Sequence, residues 1–439
     1  MSLTLPDDGP IVLNNSHIPA CVLRDVPGLE STHREGLVRI DLMIHDGLIS
    51  GVAMHDPEGL DDGIDLDGRM IWPAPIDIHT HLDKGHIWPR QPNPDGTFEG
   101  ALQAVDADRL AHWSPDDVRA RMEFALRCAY AHGTCALRTH LDSYPPAAAH
   151  AWEVFADVRA AWSDRMTLQA VSLKRNDHIV GAVGERLADM VAAHGGLLGL
   201  VPTMADDLDA VLDRYFALAA ERGLDCDLHV DETDDPSART LEAIARAVLR
   251  NRFEGRVVCG HCCSLACQPT AYQREVIALL KEAGIAVVSL TMCNLYLQHR
   301  RYRADGLGCT PHWRGITRLH ELRAAGVPVM VASDNTRDPF YAYGDLDLLE
   351  VFRESTRIAH FDHPFDDWLH TITTTPAEIM GLAERGVIGT GAPADLIVFE
   401  GRSFNEVLAR PEANRTVIRH GRAIDRTLPD YRELDHLFA

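Results

Sequence analysis

The chain has 439 residues, of which 46% are hydrophobic and 24% are charged. The length fits one large domain and a smaller one. The proportions are typical of a globular protein, so a disordered chain is not expected. Its 42 basic and 65 acidic residues give a net charge of −23, which argues against a nucleic-acid partner because such binding depends on a basic surface.

The N-terminal residues MSLTLPDDGPIVL contain neither a basic start nor a long apolar stretch, so no secretion signal is expected. The sequence has no run of ~18 apolar residues, and a membrane partner is therefore not expected either. Ten cysteines in a chain with these features favour reduced thiols and a cytoplasmic location.

Short strands and turns are predicted for residues 10–70. The candidate strands there are Ile11–Leu13, Val38–Ile44 and Leu48–Ala53. From residue 70 onward, a strand-like run followed by a helix-like stretch recurs. The eight candidate strands of this repeat are Met70–Ile78, Thr134–His140, Met166–Leu173, Leu197–Pro202, Leu224–Val230, Arg256–Gly260, Ile285–Leu290 and Val327–Ala332.

Amphipathic spacing predicts helices between these strands. The clearest are Asp116–Ala131, Leu208–Glu221, Ala238–Arg250 and Gln273–Ala283. Ser114 is a candidate N-cap, and Gly133, Gly223 and Gly284 stand where glycines end helices. Alternating strands and helices favour a parallel sheet, and eight such units favour an α/β fold of the (β/α)₈ TIM-barrel type. An open doubly wound sheet is the alternative.

The C-terminal segment again resembles short strands, at Ala394–Phe399, Thr416–Arg419 and Ala423–Ile424. Because chain ends often lie close together, we expect both ends to pair into one small β-sandwich domain. The expected division is 1–72 for the N-terminal part of the sandwich, 73–382 for the barrel and 383–439 for the C-terminal part.

A His-x-His pair, His79 and His81, ends the first strand of the repeat. Alternate side chains of a strand share a face, so both imidazoles can bind one metal ion. Neutral imidazole is a common ligand of zinc and iron. The carboxyl ends of barrel strands are also where TIM-barrel active sites lie.

Other polar groups follow later strands in the same way. His229 and Glu232 come at the end of the fifth strand, His261 follows the sixth, and Asp334 follows the eighth. A metal ion lowers the pKa of its bound water toward ~7 and so makes hydroxide available. A carboxylate such as Glu232 must then carry the proton to the leaving nitrogen. His261 can hold the nucleophile, and Asp334 can bind metal and accept a proton.

All of these residues except His261 lie in segments that resemble the cytosine deaminase-like branch of the amidohydrolase superfamily and the related N-alkylammelide hydrolases. The similar segments follow in order along most of the chain: IDIHTHLDKG (76–85), NPDGTFEGAL (93–102), LRTHLDS (137–143), DLHVDETDD (227–235), NLYLQHR (294–300), RGITRLHEL (314–322), DNTRDPFYAYG (334–344) and GAPADLIVF (391–399).

The resemblance implies one divalent ion, Zn²⁺ or Fe²⁺, with Glu232 as proton shuttle and His261 beside the bound water. The implied ligands are His79, His81, His229 and Asp334. The implied reaction is deamination of a small N-heterocycle resembling cytosine, a ring such as a pyrimidine, pterin or triazine, by attack of metal-bound hydroxide with release of ammonia.

Two alternatives to deamination remain open at this point. One is hydrolysis of an N-substituted amino-heterocycle or a cyclic amide by the same groups. The other is a catalytically inactive barrel that serves as a scaffold. We also expect the chain to form a homo-oligomer.

Two departures from the family pattern concern the substrate. Lys174 or Arg175 stands where a substrate-reading Gln follows the third strand, and Asn335 stands where the deaminases have a second Asp. A cationic side chain donates hydrogen bonds and never accepts them, so it would suit a substrate with a carbonyl or carboxylate. Lys84 is expected to be structural or to face the substrate. Three further candidates for substrate binding are Trp88, His140 and Phe340.

Overall fold

The computed structural model describes residues 3–6, 9–31, 33–58, 63–144, 147–365, 367–411 and 413–438. The strands are β1 (Ile11–Pro19), β2 (Leu37–His45), β3 (Leu48–Met54), β4 (Ile64–Asp65), β5 (Ile71–Pro73), β6 (Ile76–Thr80), β7 (Ala136–Asp142), β8 (Thr167–Leu173), β9 (Leu198–Leu200), β10 (Cys226–Val230), β11 (Val257–His261), β12 (Ala286–Ser289), β13 (Val329–Val331), β14 (Leu396–Phe399), β15 (Arg415–Arg419) and β16 (Arg422–Ala423).

Helices separate most of the strands after β6. They are α1 (Phe98–His112), α2 (Pro115–His132), α3 (Ala147–Ala161), α4 (Gly181–Ala193), α5 (Leu208–Arg222), α6 (Thr240–Asn251), α7 (Thr270–Glu282), α8 (Thr291–Leu297), α9 (Leu319–Ala324), α10 (Leu348–Ala359), α11 (Thr374–Ile379) and α12 (Phe404–Ala409). Short 3₁₀ helices occur at Ala20–Val22, Asn176–His178, Cys263–Cys267, Trp368–Ile372 and Tyr431–Leu437.

The chain forms two compact units. The first consists of Met1–Asp77, Arg127–Ala136 and Asp347–Leu428, and the second of Ile78–Leu126, Leu137–Leu346 and Pro429–Ala439. Across the described residues, no helix has the length and apolar character needed to cross a membrane.

The first unit contains two four-stranded sheets. One has the order β3-β2-β1-β4 and comes from the N-terminal segment alone, with β1, β2 and β3 antiparallel. The other has the order β16-β15-β14-β5 and therefore combines the two ends of the chain. Trp72 of β5 is buried and contacts Phe352 and Phe399 with ring centroids 5.6 and 4.8 Å apart, so aromatic packing anchors this second sheet.

The first predicted strand of the repeat, Met70–Ile78, is wrong as a single strand. It divides into β5, which pairs with β14, and β6, which belongs to the sheet β6-β7-β8. Pro73 and Pro75 lie at the break, and proline cannot donate a ladder hydrogen bond. The continuous apolar run therefore serves two different sheets.

The second unit contains the repeating strands. Strands β9 to β13 form a parallel sheet in the order β13-β12-β11-β10-β9, next to a sheet of order β6-β7-β8. Two isolated parallel bridges, Val171↔Leu197 and Thr80↔Asp334, link the edge strands of these sheets. The residues of β10, β11 and β12 are buried, as expected of parallel strands covered on both faces.

Sequence periodicity predicted the remaining elements of the repeat closely. Each of the other seven predicted strands corresponds to one strand from β7 to β13, and the four predicted helices correspond to α2, α5, α6 and α7. Ser114 caps α2 by accepting from the N–H of Asp117 at 3.2 Å, and Gly223 ends α5 with φ +63°. Both cap predictions are confirmed.

Candidate functional site

Three imidazoles and one carboxylate converge where strands of the second unit end. His79 belongs to β6, His81 follows it, His229 belongs to β10, and Asp334 comes after β13. His229 Nε2 lies 3.2 Å from His79 Nε2 and 3.2 Å from His81 Nε2. Asp334 Oδ1 lies 3.2 Å from His81 Nε2 and 3.6 Å from His79 Nε2. The four side chains predicted as ligands thus lie together.

The backbone brings the first and last of these strands together. The N–H of Asp334 donates to the carbonyl of His79 at 2.8 Å, next to the Thr80↔Asp334 bridge. Asp334 and His261 both have left-handed backbone, with φ +64° and +66°. Such a conformation costs energy in a residue other than glycine and clusters at functional sites, and here it occurs at two of the predicted site residues.

A glycine leaves the space for one imidazole. Gly260 of β11 lies beside His79, and a Cβ at position 260 would be 2.9 Å from His79 Cε1 and 3.2 Å from His79 Nδ1. Carbon atoms in contact are normally 3.5–4.0 Å apart. The His79 ring can therefore occupy its position only because residue 260 has no side chain.

The donor set fits a metal ion. An imidazole nitrogen has a single in-plane hydrogen or lone pair, so His229 Nε2 cannot form hydrogen bonds with both His79 and His81, although it faces both. Ligands around a tetrahedral ion at ~2.1 Å are roughly 3.4 Å apart, close to the distances between these atoms. Burial is the main cause that lowers the pKa of His79, His81 and His229 well below 6.5, and the neutral ring is the form that binds metal.

His261 lies at the edge of the same cluster. One ligand atom each from His79, His229, His261 and Asp334 lie within 4.8 Å of one another. Burial lowers the pKa of His261 to about 3, so the ring is neutral. Its Nδ1 accepts a hydrogen bond from Asn294 Nδ2 at 3.0 Å, which leaves the hydrogen on Nε2. His261 is therefore arranged to donate a hydrogen bond into the site.

Glu232 shares this hydrogen-bond network. Asn294 Nδ2 also donates to Glu232 Oε1 at 3.1 Å, and Glu232 Oε1 is 3.4 Å from His261 Nδ1. Gln298 Nε2 donates to the backbone carbonyl of Glu232 at 3.1 Å. Burial, and after it the charge of Asp334, raises the pKa of Glu232 well above 4.5. A carboxyl group with a raised pKa is suited to taking up and releasing protons.

These groups open into a cavity of about 740 Å³, within the range of ~300–1,000 Å³ that small-molecule sites occupy. His81, His229, Glu232, His261 and Asp334 all line it. Its apolar lining includes Leu102, Val105, Leu173, Val201 and Phe340. Polar groups that converge in a largely apolar cavity are typical of a site for a small ligand.

The predicted substrate-binding residues divide into two groups. Arg175, Asn335 and Phe340 line the cavity. Asn335 Nδ2 donates to Asp338 Oδ2 at 2.7 Å, and Phe340 contacts Phe98 edge to face, with centroids 5.5 Å apart. Both side chains are therefore held in place at the cavity wall.

Lys174, Trp88 and His140 are not among the described residues that line the cavity. Lys174 Nζ lies over the ring of Tyr144 at 4.6 Å. The backbone N–H of Trp88 donates to the backbone carbonyl of Arg337 at 2.9 Å. His140 is buried against His79, with ring centroids 4.0 Å apart. His140 thus packs against a predicted metal ligand, and substrate binding by these three residues stays a prediction.

Two features of the site were missed by sequence reasoning. Asn294 connects Glu232 with His261, and its only signal was its place in the segment NLYLQHR. Asp142 accepts from Lys84 Nζ at 3.2 Å and from Arg109 Nη1 at 3.1 Å. No periodic pattern marks either residue, because each acts through neighbours that are distant in sequence.

Comparison with known proteins identifies relatives of the chain. A family model described as "Amidohydrolase family" matches residues 131–425. A pterin deaminase of Rhizobium rhizogenes (strain K84 / ATCC BAA-868) is 53% identical over 433 residues, which cover 98% of this chain and 97% of that protein. The N-isopropylammelide isopropyl amidohydrolase of Pseudomonas sp. (strain ADP) is 25% identical over 377 residues, covering 83% of this chain and 88% of that protein.

Solved structures share the fold. The crystal structure of 5-methylcytosine deaminase from Klebsiella pneumoniae has a TM-score of 0.81 and 24% sequence identity, and the match covers 96% of this chain and 98% of that chain. The chain therefore belongs to the amidohydrolase family, which confirms the resemblance found in the sequence and the predicted enzyme class, a hydrolytic deaminase acting on carbon–nitrogen bonds.

Proposed function

We propose that this protein is a metal-dependent deaminase that removes the exocyclic amine of a pterin-like ring, a 2-amino-4-oxopteridine, and releases ammonia. The observation that carries the proposal is the convergence of His79, His81, His229 and Asp334 beside Glu232 in one cavity. The 53% identity to a pterin deaminase over nearly the whole chain favours a pteridine over cytosine as the ring.

The three imidazoles and Asp334 would hold the metal, with His261 close by. Three nitrogen ligands and one oxygen ligand suit Zn²⁺ or Fe²⁺, and a single ion is proposed. A divalent ion bound there would lower the pKa of a water molecule and so supply hydroxide near neutral pH.

The protein's own residues handle the protons. Glu232 is placed to take a proton from the attacking water and to deliver one to the leaving nitrogen, which is the task of a single carboxyl group with a raised pKa. Asn294 fixes the orientation of Oε1. The Nε2 hydrogen of His261 is available to a developing oxygen charge, which a preorganised donor stabilises.

The walls of the cavity would orient the ring. Phe340 offers an aromatic face, and aromatic pairs favour offset or edge-to-face contact. Arg175 lines the cavity whereas Lys174 lies over Tyr144, so Arg175 is the proposed cationic contact for an oxygen or carboxylate of the substrate.

Ammonia release from a panel of rings tests the proposal. The panel contains pterin, cytosine, guanine and an N-isopropylamino-triazine, and both ammonia and isopropylamine are measured. The proposal expects pterin to give the highest kcat/KM, with activity that a chelator removes and Zn²⁺ or Fe²⁺ restores. Release of isopropylamine without deamination of any pteridine would favour hydrolysis of an N-substituted amino-heterocycle.

A variant separates catalysis from binding. Glu232→Gln should retain metal and lower turnover by ~10²-fold or more, since general acid–base catalysis typically contributes that much. Glu275→Gln on the exposed face of α7 is the matched control and should behave like the wild type. Near-normal turnover of Glu232→Gln would exclude the shuttle role.

We further propose that β6 to β13 close into a (β/α)₈ barrel and that the two terminal sheets form a β-sandwich. The bridges Val171↔Leu197 and Thr80↔Asp334 support closure, and the bridges Leu48↔Pro393 and His17↔Met70 support contact between segments of the terminal sheets. The domain boundaries 1–72, 73–382 and 383–439, the cytoplasmic location and the homo-oligomer stay predictions.

A further inference from the structure

Lysine is rare in this chain, and one lysine borders the proposed catalytic cavity. Of the 42 basic residues, three are lysines, at positions 84, 174 and 281. Lys84 is 4% exposed and lines the cavity. Lys281 lies on the exposed face of α7, and Lys174 Nζ lies over the Tyr144 ring.

Carboxylates keep Lys84 charged despite its burial. Burial alone would lower its pKa, but Asp142, Asp83 and Asp338 outweigh that effect and raise the pKa above 10.5. Asp142 Oδ1 lies 3.2 Å from Lys84 Nζ. A full positive charge is thus maintained at the wall of a largely apolar cavity, where its interactions are stronger than in water.

The position of this ammonium is fixed from several sides. Arg121, itself paired with Asp117 at 2.7 Å, donates to the backbone carbonyls of Asp83 and Gly85, the two neighbours of Lys84. Arg109 Nη1 holds the other oxygen of Asp142 at 3.1 Å. The chain therefore fixes both the backbone and the counter-ion of Lys84.

The ammonium carries three N–H groups. Within the part of the chain that the structure describes, Asp142 Oδ1 is the acceptor found for one of them. On its other side Lys84 Nζ lies 5.1 Å from the centre of the Phe340 ring, which lines the same cavity. A planar ring placed against Phe340 would have an edge close to the ammonium.

We propose that Lys84 is a specificity-determining residue that donates a hydrogen bond to the 4-oxo oxygen of the substrate ring, and so selects 2-amino-4-oxo rings over 2,4-diamino rings. The inference rests on the proposed function. An oxo oxygen accepts from the ammonium, whereas a 4-amino group presents N–H donors to a cation that is itself only a donor. A site built around a buried donor rejects a ligand that leaves the donor unpaired.

Binding of two pteridines tests this inference without turnover. Pterin and 2,4-diaminopteridine are titrated by their own fluorescence into Glu232→Gln, Glu232→Gln/Lys84→Met and Glu232→Gln/Lys281→Met. The Kd ratio of diamino to oxo ring should be ~10 or more in Glu232→Gln and near one with Lys84→Met, since a charged hydrogen bond is worth about that factor or more. Lys281→Met, which removes an exposed lysine, should leave the ratio unchanged.

A structural role for Lys84 gives different results. If the Lys84→Met protein keeps the wild-type circular dichroism and the same Kd ratio, the inference is overturned. If Lys84→Met does not fold, Lys84→Gln is tested in its place. The glutamine amide can accept a hydrogen bond from a 4-amino group, so the Kd ratio should shift in favour of the diamino ring. An unchanged Kd ratio in Lys84→Gln overturns the inference. Failure of every protein to bind either pteridine would instead overturn the proposed function.

Discussion

Replacing Gly260 with alanine should weaken metal binding, although residue 260 offers no ligand atom. The added Cβ would be 2.9 Å from His79 Cε1, compared with a normal carbon–carbon contact of 3.5–4.0 Å. The His79 ring or strand β11 must therefore move by ~0.6 Å or more. Such a shift exceeds the ~0.5 Å within which a functional constellation must be held.

The displacement of the His79 ring sets the expected loss of metal affinity and turnover in Gly260→Ala. His79 Nε2 lies 3.2 Å from His229 Nε2 and 3.6 Å from Asp334 Oδ1, so moving one ring disturbs the whole set. Loss of ligand orientation typically costs 10–100-fold in metal affinity. A misplacement of ~1 Å can also lower turnover by ~10²-fold, and we expect kcat at saturating metal to fall by ~10–100-fold.

Chelator competition gives the Kd for Zn²⁺, and ammonia release at saturating Zn²⁺ gives kcat. Gly308→Ala is the matched control, because a Cβ at position 308 would meet no atom of the other described residues within 4 Å, its chain neighbours apart. This variant should match the wild type in both measurements. If Gly260→Ala binds Zn²⁺ as tightly as the wild type and deaminates at the same rate, the argument that residue 260 makes room for His79 is refuted.

Three further predictions concern single side chains. Asn294→Ala should retain metal but lower kcat by ~10-fold, because Glu232 loses its orienting hydrogen bond; kinetics and metal analysis check this, and an unchanged kcat contradicts it. Ser114→Ala should reduce the free energy of unfolding in urea by about 1 kcal/mol, as loss of an N-cap does; no measurable change would count against the cap. Asp347→Asn should lower the free energy of unfolding by about 2–3 kcal/mol at pH 7, because the carboxylate accepts a hydrogen bond from Arg415 at 2.9 Å. Burial raises the pKa of Asp347, but the charge of Arg415 outweighs burial and holds the pKa below 3.8. The carboxylate therefore contributes fully to the free energy of unfolding above that value, and the difference in stability between the variant and the wild type should shrink as the pH falls below about 4. A stability difference that is constant from pH 7 to pH 3 would contradict this.

Local patterns were enough to predict most elements of the second unit. The period of apolar residues predicted α2, α5, α6 and α7, and the strand-like runs predicted β7 to β13. The break between β5 and β6 was not predictable from local patterns, because it depends on which strand each half of the predicted strand Met70–Ile78 pairs with. Strand β5 pairs with β14, which lies at the far end of the sequence, and no local signal identifies that choice.

The site residues also divide into those that local patterns predicted and those that depend on contacts distant in sequence. The predicted ligands were found because each polar group stands at a strand end, and strand ends of parallel sheets share an edge. The choice between Lys174 and Arg175 could not be made, because adjacent residues near the end of β8 point to opposite sides, and a one-residue difference in register exchanges them. Asn294 was missed because its contacts with Glu232 and His261 join different elements.

The pairing of His79 with the backbone of Asp334 has a consequence for biosynthesis. Ribosomes add residues from the N-terminus at ~5–20 per second, so the histidines of β6 and β10 emerge well before the carboxylate that completes the set. A nascent chain that stops short of β13 lacks Asp334, the carboxylate of the proposed ligand set. We therefore expect tight binding of the proposed ion to require synthesis of β13, and a bound ion would then stabilise the finished fold and not its incomplete precursors.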